Sequence, residues 1–268
     1  MSRFFHSHDP TRLVHYEGVF HDRRFNDSSD MESRMYAKPQ DIREYLEHNP
    51  SKPYVSCEYM HAMGNSCGGM DEYAEMEEQY PKYQGGFLWD YIDQAILAGN
   101  AHGGSFLAYG GDFDDRPTDF AFCGNGIVYA NRRPSPKVQE VKCLYQNVKL
   151  TPDEHGVLVK NQNLFVSTDD CYLEYSLLRG GETVFSGKID CVVPADAQRY
   201  FRLELPQALQ EGEYALNCSL RHKTSCLWAE RGYEQAFGQH VWTVGGRPEE
   251  KNVPASARIV RGDVNLGV

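Results

Sequence analysis

No stretch of the 268-residue chain approaches the roughly 18–20 consecutive apolar residues that a membrane-spanning helix needs. The opening MSRFFHSHDP has no apolar run of the kind a secretory signal carries. Positive charge is scarce: 27 Lys and Arg stand against 38 Asp and Glu, a net charge of −11. Nucleic acid and anionic membrane require a basic face, so both are argued against, and neutral ligands such as sugars stay open. None of the eight cysteines (57, 67, 123, 143, 171, 191, 218 and 226) falls in a C-x-x-C pair. That disfavours a zinc ribbon or a redox motif. A chain of this size needs no disulfide staples. We therefore expect reduced, mostly buried thiols in a cytoplasmic protein. There is no internal repeat.

What is present is apolar enough to fold. Hydrophobic residues make up 41% and aromatics 12% of the chain, which supports a packed core. The first half alternates short apolar runs with helical spacing. LVHYEG (13–18), SRMYA (33–37), PYVSCEY (53–59) and GGFLWDYID (85–93) read as strands. DIREYLEHNP (41–50) and GMDEYAEMEEQYP (69–81) read as helices stopped by proline. Strand alternating with helix implies parallel βα units, and four strands make half of a (β/α)8 barrel. The loop 109–126 is rich in Gly and Asp, and NRRPSPKVQEVK (131–142) reads as a linker. From about 140 to 243 short alternating strands recur at roughly ten-residue spacing, with a hairpin turn at RGGET (179–183). That pattern predicts an antiparallel sandwich of immunoglobulin type.

Polar residues gather at the strand ends: Glu17, Tyr36, Glu58, and Trp89 with Asp90. In parallel α/β folds that end holds the active site. CEYMHAMGNS (57–66) is the sharpest case. Glu58 is either a catalytic carboxylate beside His61 or a core Glu in an ion pair. Tyr36 could tune a carboxylate by hydrogen bonding or simply fill the core. Trp89 could stack against a sugar ring or pack the barrel. Asp112, Asp114, Asp115 and Asp119 lack the spacing of an EF-hand loop, so a structured loop is the better reading. His6 and His8 read as solvated, and Glu17 as a hydrogen-bonded support.

These stretches, with DPTRLVHYEG, YPKYQGGFLWDYIDQAI and YGGDFDDRPTDFAFCGNGIVYANR, closely resemble the lactose-cleaving β-galactosidases of glycoside hydrolase family 2. The likeness is strong over residues 9–140. It implies the C-terminal half of a TIM barrel (residues 1–137) followed by an immunoglobulin-like sandwich (138–244). Residues 245–268 would be a linker and the start of a missing C-terminal β-domain. The resemblance makes Glu58 the nucleophile that forms a covalent galactosyl-enzyme, with Tyr36 donating a hydrogen bond to it. His61 would contact sugar hydroxyls, and Trp89 would form the floor under galactose. The carbonyl of Phe122 and the side chain of Asn125 would hold part of a sodium site near the sugar 6-hydroxyl.

The family's acid/base glutamate and its magnesium ligands lie upstream of the stretch represented here. The resemblance thus implies a partial chain, inactive alone, that works with the missing N- and C-terminal parts or a complementing subunit and is oligomeric when complete. Thr118 stands where the resemblance leads one to expect Asn. Two rival expectations remain: a non-catalytic carbohydrate-binding or assembly module, and a self-sufficient site in which Glu17 is the acid partner of Glu58.

Overall fold

The computed structural model describes residues 1–245 and the backbone of two short strands near the C-terminus. It divides into two compact units, Met1–Tyr145 and Gln146–Val268. The tail predicted as a linker falls mostly outside the described residues.

The first unit is built on a parallel sheet. After helix α1 (Ser2–His8) come β1 (Glu32–Met35), α2 (Pro39–Glu47), β2 (Tyr54–Tyr59), α3 (Asp71–Gln79) and β3 (Tyr83–Leu88). The sheet order is β1-β2-β3, with Ser33 opposite Val55 and Tyr54 opposite Tyr83. Helix α2 starts at Pro39, whose missing N–H costs nothing in a first turn. Its Ile42 and Leu46, four residues apart, are both buried. Helix α3 places Asp71 and Glu72 in its first turn, where negative charge suits the macrodipole, and buries Tyr73 and Met76. These side chains close over Tyr54, Tyr59, Met70 and Tyr83 in one cluster. Each fully buried apolar side chain there contributes about 1.5–3 kcal/mol.

Two expectations for this unit are corrected. Residues 13–18 do not form a strand. Val14 N–H donates to the Asp30 carboxylate at 2.7 Å and Tyr16 N–H to the Ser29 hydroxyl at 3.1 Å, so side chains take the donors a ladder would use. Glu17–Phe20 then turns into a 3-10 helix. The parallel sheet consequently has three strands, not four. The stretch 131–142 read as linker instead runs from residue 137 into helix α4 (Lys137–Tyr145), whose Val141 and Leu144 pack on the first unit's core. Pro134 and Pro136 precede this helix rather than break it. A hairpin that the pattern did not reveal, β4 (Ile96–Gly99) with β5 (Ser105–Ala108), follows β3.

The second unit is antiparallel throughout. Strands β6 (Val148–Pro152), β7 (Gly156–Asn161) and β10 (Ala197–Arg202) form one sheet in the order β10-β7-β6. Strands β8 (Cys171–Arg179), β9 (Glu182–Asp190), β11 (Gly212–His222) and β12 (Glu234–Val244) form the other, ordered β12-β11-β8-β9. The predicted hairpin joins β8 to β9 through Gly180 and Gly181 at φ 56° and 88°. A two-residue turn with both centres left-handed matches the twist of the strands it connects. Cys171, Leu173, Tyr175 and Leu177 alternate inward on β8, as do Tyr214, Leu216, Cys218 and Leu220 on β11, and they share a core with Val157 and Val159. Farther on, strands β13 (Val260–Arg261) and β14 (Leu266–Gly267) pair antiparallel.

Candidate functional site

The C-terminal ends of β1, β2 and β3 bring the sequence-predicted residues together. Tyr36 follows β1, Glu58 is the penultimate residue of β2, and Trp89 follows β3. Tyr36 donates its phenol to Glu58 Oε2 at 2.6 Å. Its own N–H donates to the Glu58 carbonyl at 2.8 Å, so main chain and side chain both tie it to this residue. Tyr36 sits at φ 53°. A left-handed non-glycine residue costs about 1–2 kcal/mol, which those two bonds offset. Partial burial, and then the hydrogen bond to Glu58, hold the Tyr36 phenol well above its usual range, so it stays a donor.

His61 lies against this pair. Its ring is edge-on to Tyr36 at 5.8 Å and 5.6 Å from the ring of Phe122. Trp89 is held at the strand mouth by its main chain: its N–H donates to the Tyr59 carbonyl at 3.1 Å, and its carbonyl accepts from Ala62 N–H at 2.7 Å. Its indole is partly exposed.

The loop after the hairpin supplies the remaining predicted residues. Asn125 is only 3% exposed. Its Nδ2 donates to the Phe122 carbonyl at 3.2 Å, whereas its Oδ1 is buried with no hydrogen-bond partner. An orphaned amide oxygen beside a carbonyl is a donor set that suits a hard cation. Main-chain bonds lock this loop to the segment after β3: Asp90 N–H to the Asn125 carbonyl at 2.8 Å, and Ile127 N–H to the Asp90 carbonyl at 2.9 Å. Asp93 Oδ1 accepts the Gly126 N–H at 2.7 Å. A Cβ on Gly126 would lie 2.2 Å from the Asp93 nitrogen, so only glycine allows this approach.

Asp93 and Gly126 escaped the sequence reading. Their signal was present as the paired motifs WDYID and GNG, whose contact only the fold reveals. The aspartate loop is a structured one. Asp112 Oδ2 accepts Tyr109 N–H, and Asp115 Oδ1 accepts Gly111 N–H, both at 2.9 Å. His6 is not simply solvated but meets Asp30 at 2.8 Å. Glu17 does not act as a hydrogen-bonded support through Oε2, which is buried and unpartnered. Among the described residues no helix is long and apolar enough to cross a membrane.

Residues 1–150 match the family described as glycosyl hydrolases family 2, TIM barrel domain, and residues 157–243 match β-galactosidase, domain 4. A β-galactosidase of Halalkalibacterium halodurans is 57% identical over 270 residues, covering all of this chain and 27% of that protein. One from Clostridium acetobutylicum is 53% identical, covering all of this chain and 30% of its own length. A β-galactosidase large subunit of Leuconostoc lactis is 55% identical over 147 residues, 54% of this chain and 24% of that one. The chain thus spans less than a third of the length of these relatives. A Bacteroides uniformis β-glucuronidase structure overlays on 91% of this chain and 30% of that one at 12% identity, with a TM-score of 0.36, too low to bear on the fold. With a TIM-barrel model covering more than half its residues, this chain belongs to glycosyl hydrolase family 2.

Proposed function

We propose that this chain carries the nucleophile side of a retaining β-galactosidase that hydrolyses terminal β-D-galactosides such as lactose. The observation that carries the proposal is the 2.6 Å hydrogen bond from the Tyr36 phenol to the Glu58 carboxylate at the ends of parallel strands. Retaining hydrolysis needs two carboxyl groups about 5–5.5 Å apart. Glu58 attacks the anomeric carbon as the bond to the leaving oxygen breaks, giving a covalent galactosyl-enzyme. Water then cleaves that ester and returns Glu58 as a carboxylate. Tyr36, kept protonated by partial burial and by Glu58, steadies the carboxylate as it leaves. His61 meets sugar hydroxyls, and Trp89 offers its face to the C–H face of galactose.

The second carboxyl group, which protonates the leaving oxygen, we assign to a glutamate on an earlier barrel strand outside this chain. The isolated chain is accordingly inactive, and its partner is the remainder of the enzyme or a complementing subunit, in the cytoplasm. The Phe122 carbonyl and Asn125 Oδ1 are the residues here that would hold a sodium ion. The ion supplies a positive point charge for a sugar hydroxyl. Magnesium ligands we place outside this chain. The two antiparallel sheets of the second unit, which start at Val148 within the stretch 138–244, we read as immunoglobulin-like.

The test is labelling with a 2-fluoro-galactosyl inactivator. The chain is treated alone and after combination with a polypeptide spanning the preceding barrel strands of the Halalkalibacterium halodurans relative. Modification of Glu58 in the combined sample alone supports the split site. No labelling in either sample sinks it in favour of a binding module. Turnover by the isolated chain that vanishes in Glu17→Gln would instead make Glu17 the acid partner.

A further inference from the structure

The second unit holds a cluster for which the glycosidase reading has no use. His222 ends β11 and Cys171 begins β8, and they face each other as the last pair of that antiparallel ladder. Next to them the β11–β12 register shifts. Leu220 opposes Ala236 but Arg221 opposes Glu234, leaving Gln235 as an extra residue. A bulge of this kind re-aims a side chain. Gln235 Oε1 lies 3.0 Å from Cys171 Sγ. Asp170 Oδ1 is 3.3 Å from the same sulfur, and Asp170 Oδ2 is 3.5 Å from His222 Nδ1. One donor atom each from Asp170, Cys171 and His222 falls within 4.8 Å of the others.

The cluster sets a carboxylate and an amide oxygen against a buried thiol and a buried imidazole. The neighbouring Lys223 ammonium is engaged elsewhere, with the Asp169 carbonyl at 2.9 Å and Asp190 at 3.0 Å. His222 is 5% exposed, its Nδ1 faces that carboxylate oxygen, and its Nε2 has no hydrogen-bond partner. A buried polar group left in this state costs about 1–3 kcal/mol. Trp228 and Tyr233 pack on the imidazole at 5.2 and 6.1 Å between ring centres. Asp170 stays exposed, which leaves a route from solvent.

We propose that Asp170, Cys171 and His222, with Gln235 Oε1 as fourth donor, bind a divalent transition metal of the zinc or cobalt class. Thiolate and imidazole select against calcium and magnesium, and one sulfur, one nitrogen and two oxygens suit four-coordination. On binding, the Cys171 S–H bond breaks, its electron pair goes to the metal, and the proton passes to solvent. The thiolate and the Asp170 carboxylate then cancel the ion's double charge. The metal ties together β8, β11 and β12 at one end of the four-stranded sheet.

The experiment is a cobalt titration of the full, reduced, metal-stripped 268-residue chain. One equivalent brings up a thiolate-to-cobalt charge-transfer band and strong tetrahedral d–d bands, and zinc bleaches both. Cys171→Ser abolishes the charge-transfer band, whereas Cys226→Ser, at an exposed thiol, leaves it unchanged. Asp170→Asn, a change at an exposed side chain that spares the core, weakens cobalt binding by more than about tenfold. Zinc raises the melting temperature of the unaltered chain and not of Asp170→Asn. Absence of the band in the unaltered chain, its survival in Cys171→Ser, or unchanged affinity in Asp170→Asn overturns the proposal.

Discussion

The two units reach a packed core by opposite routes. In the second, hairpin-connected strands alternate inward and outward, and two sheets close on a continuous apolar interior. In the first, three parallel strands are covered by α2 and α3, while Phe87, Tyr91, Ile96, Leu97 and Phe122 remain exposed around the strand mouths and the β4–β5 hairpin. Antiparallel pairing satisfies itself through short turns. Parallel pairing needs crossovers, and its ends are where polar side chains can converge. Stability and chemistry are accordingly divided: the second unit is mostly core, and the first carries the candidate site together with unclosed apolar surface, which marks binding surfaces.

The sharpest break of this contrast is Leu216→Ala. Leu216 is fully buried on β11, and its truncation costs about 2–5 kcal/mol. Hydrogen exchange read amide by amide should show the loss across β8, β11 and β12 and leave β1–β3 unchanged. Loss of protection in β1–β3 would mean that the two cores are not independent.

A smaller effect is expected at Glu32 in the first unit. Glu32 is buried, and Arg23 grips it with two nitrogens at 2.7 and 2.8 Å while Arg34 adds a third contact at 3.3 Å. Burial alone would raise its pKa, but the hydrogen bonds and charges of Arg23 and Arg34 outweigh it and hold the carboxyl below its usual value. A depressed folded-state pKa stabilises above the unfolded value of about 4.3. That stabilisation fades as pH falls through the folded pKa. Arg23→Met should cost about 2–3 kcal/mol at neutral pH and flatten the acid limb of the first unit's melting profile. An unchanged acid limb would remove Glu32 from the account.

Next comes Tyr36→Phe. Losing a hydrogen bond to a charged group should lower kcat of the complemented enzyme by roughly 10–100-fold, with protection of β1–β3 retained. A pure stability loss with normal kcat would make Tyr36 a packing residue. The smallest effect is expected at Leu97→Ala, on a side chain 70% exposed. It should shift the melting of the chain by less than about 0.5 kcal/mol. A larger loss would show that the β4–β5 hairpin is covered in solution.

Legibility followed the same division. Strand β11, GEYALNCSLRH, falls in the stretch predicted as alternating strands, because period-2 burial is written residue by residue. Helices α2 and α3 were equally plain from their apolar spacing and proline stops. Residues 13–18 misled, because an apolar run cannot say that Ser29 and Asp30 will take its backbone donors. Residues 131–142 misled because prolines before a helix look the same as prolines in a linker. In the site, Glu58, Tyr36, His61 and Trp89 were visible as polar or aromatic residues at strand ends. Gly126 against Asp93 was not, since nothing local records a close approach between segments 33 residues apart.

By itself the amino-acid order determined most of the helices and strands, the sign of the net charge, and the motifs that place the chain in its family. Those properties depend on near neighbours and side-chain type. Tertiary structure alone decided that the Tyr36 phenol reaches Glu58, that Asn125 buries an unpaired oxygen, and that Asp170, Cys171, His222 and Gln235 meet at one end of the four-stranded sheet. Each of these depends on distances between residues far apart in the chain, which are set only when sheets acquire their register.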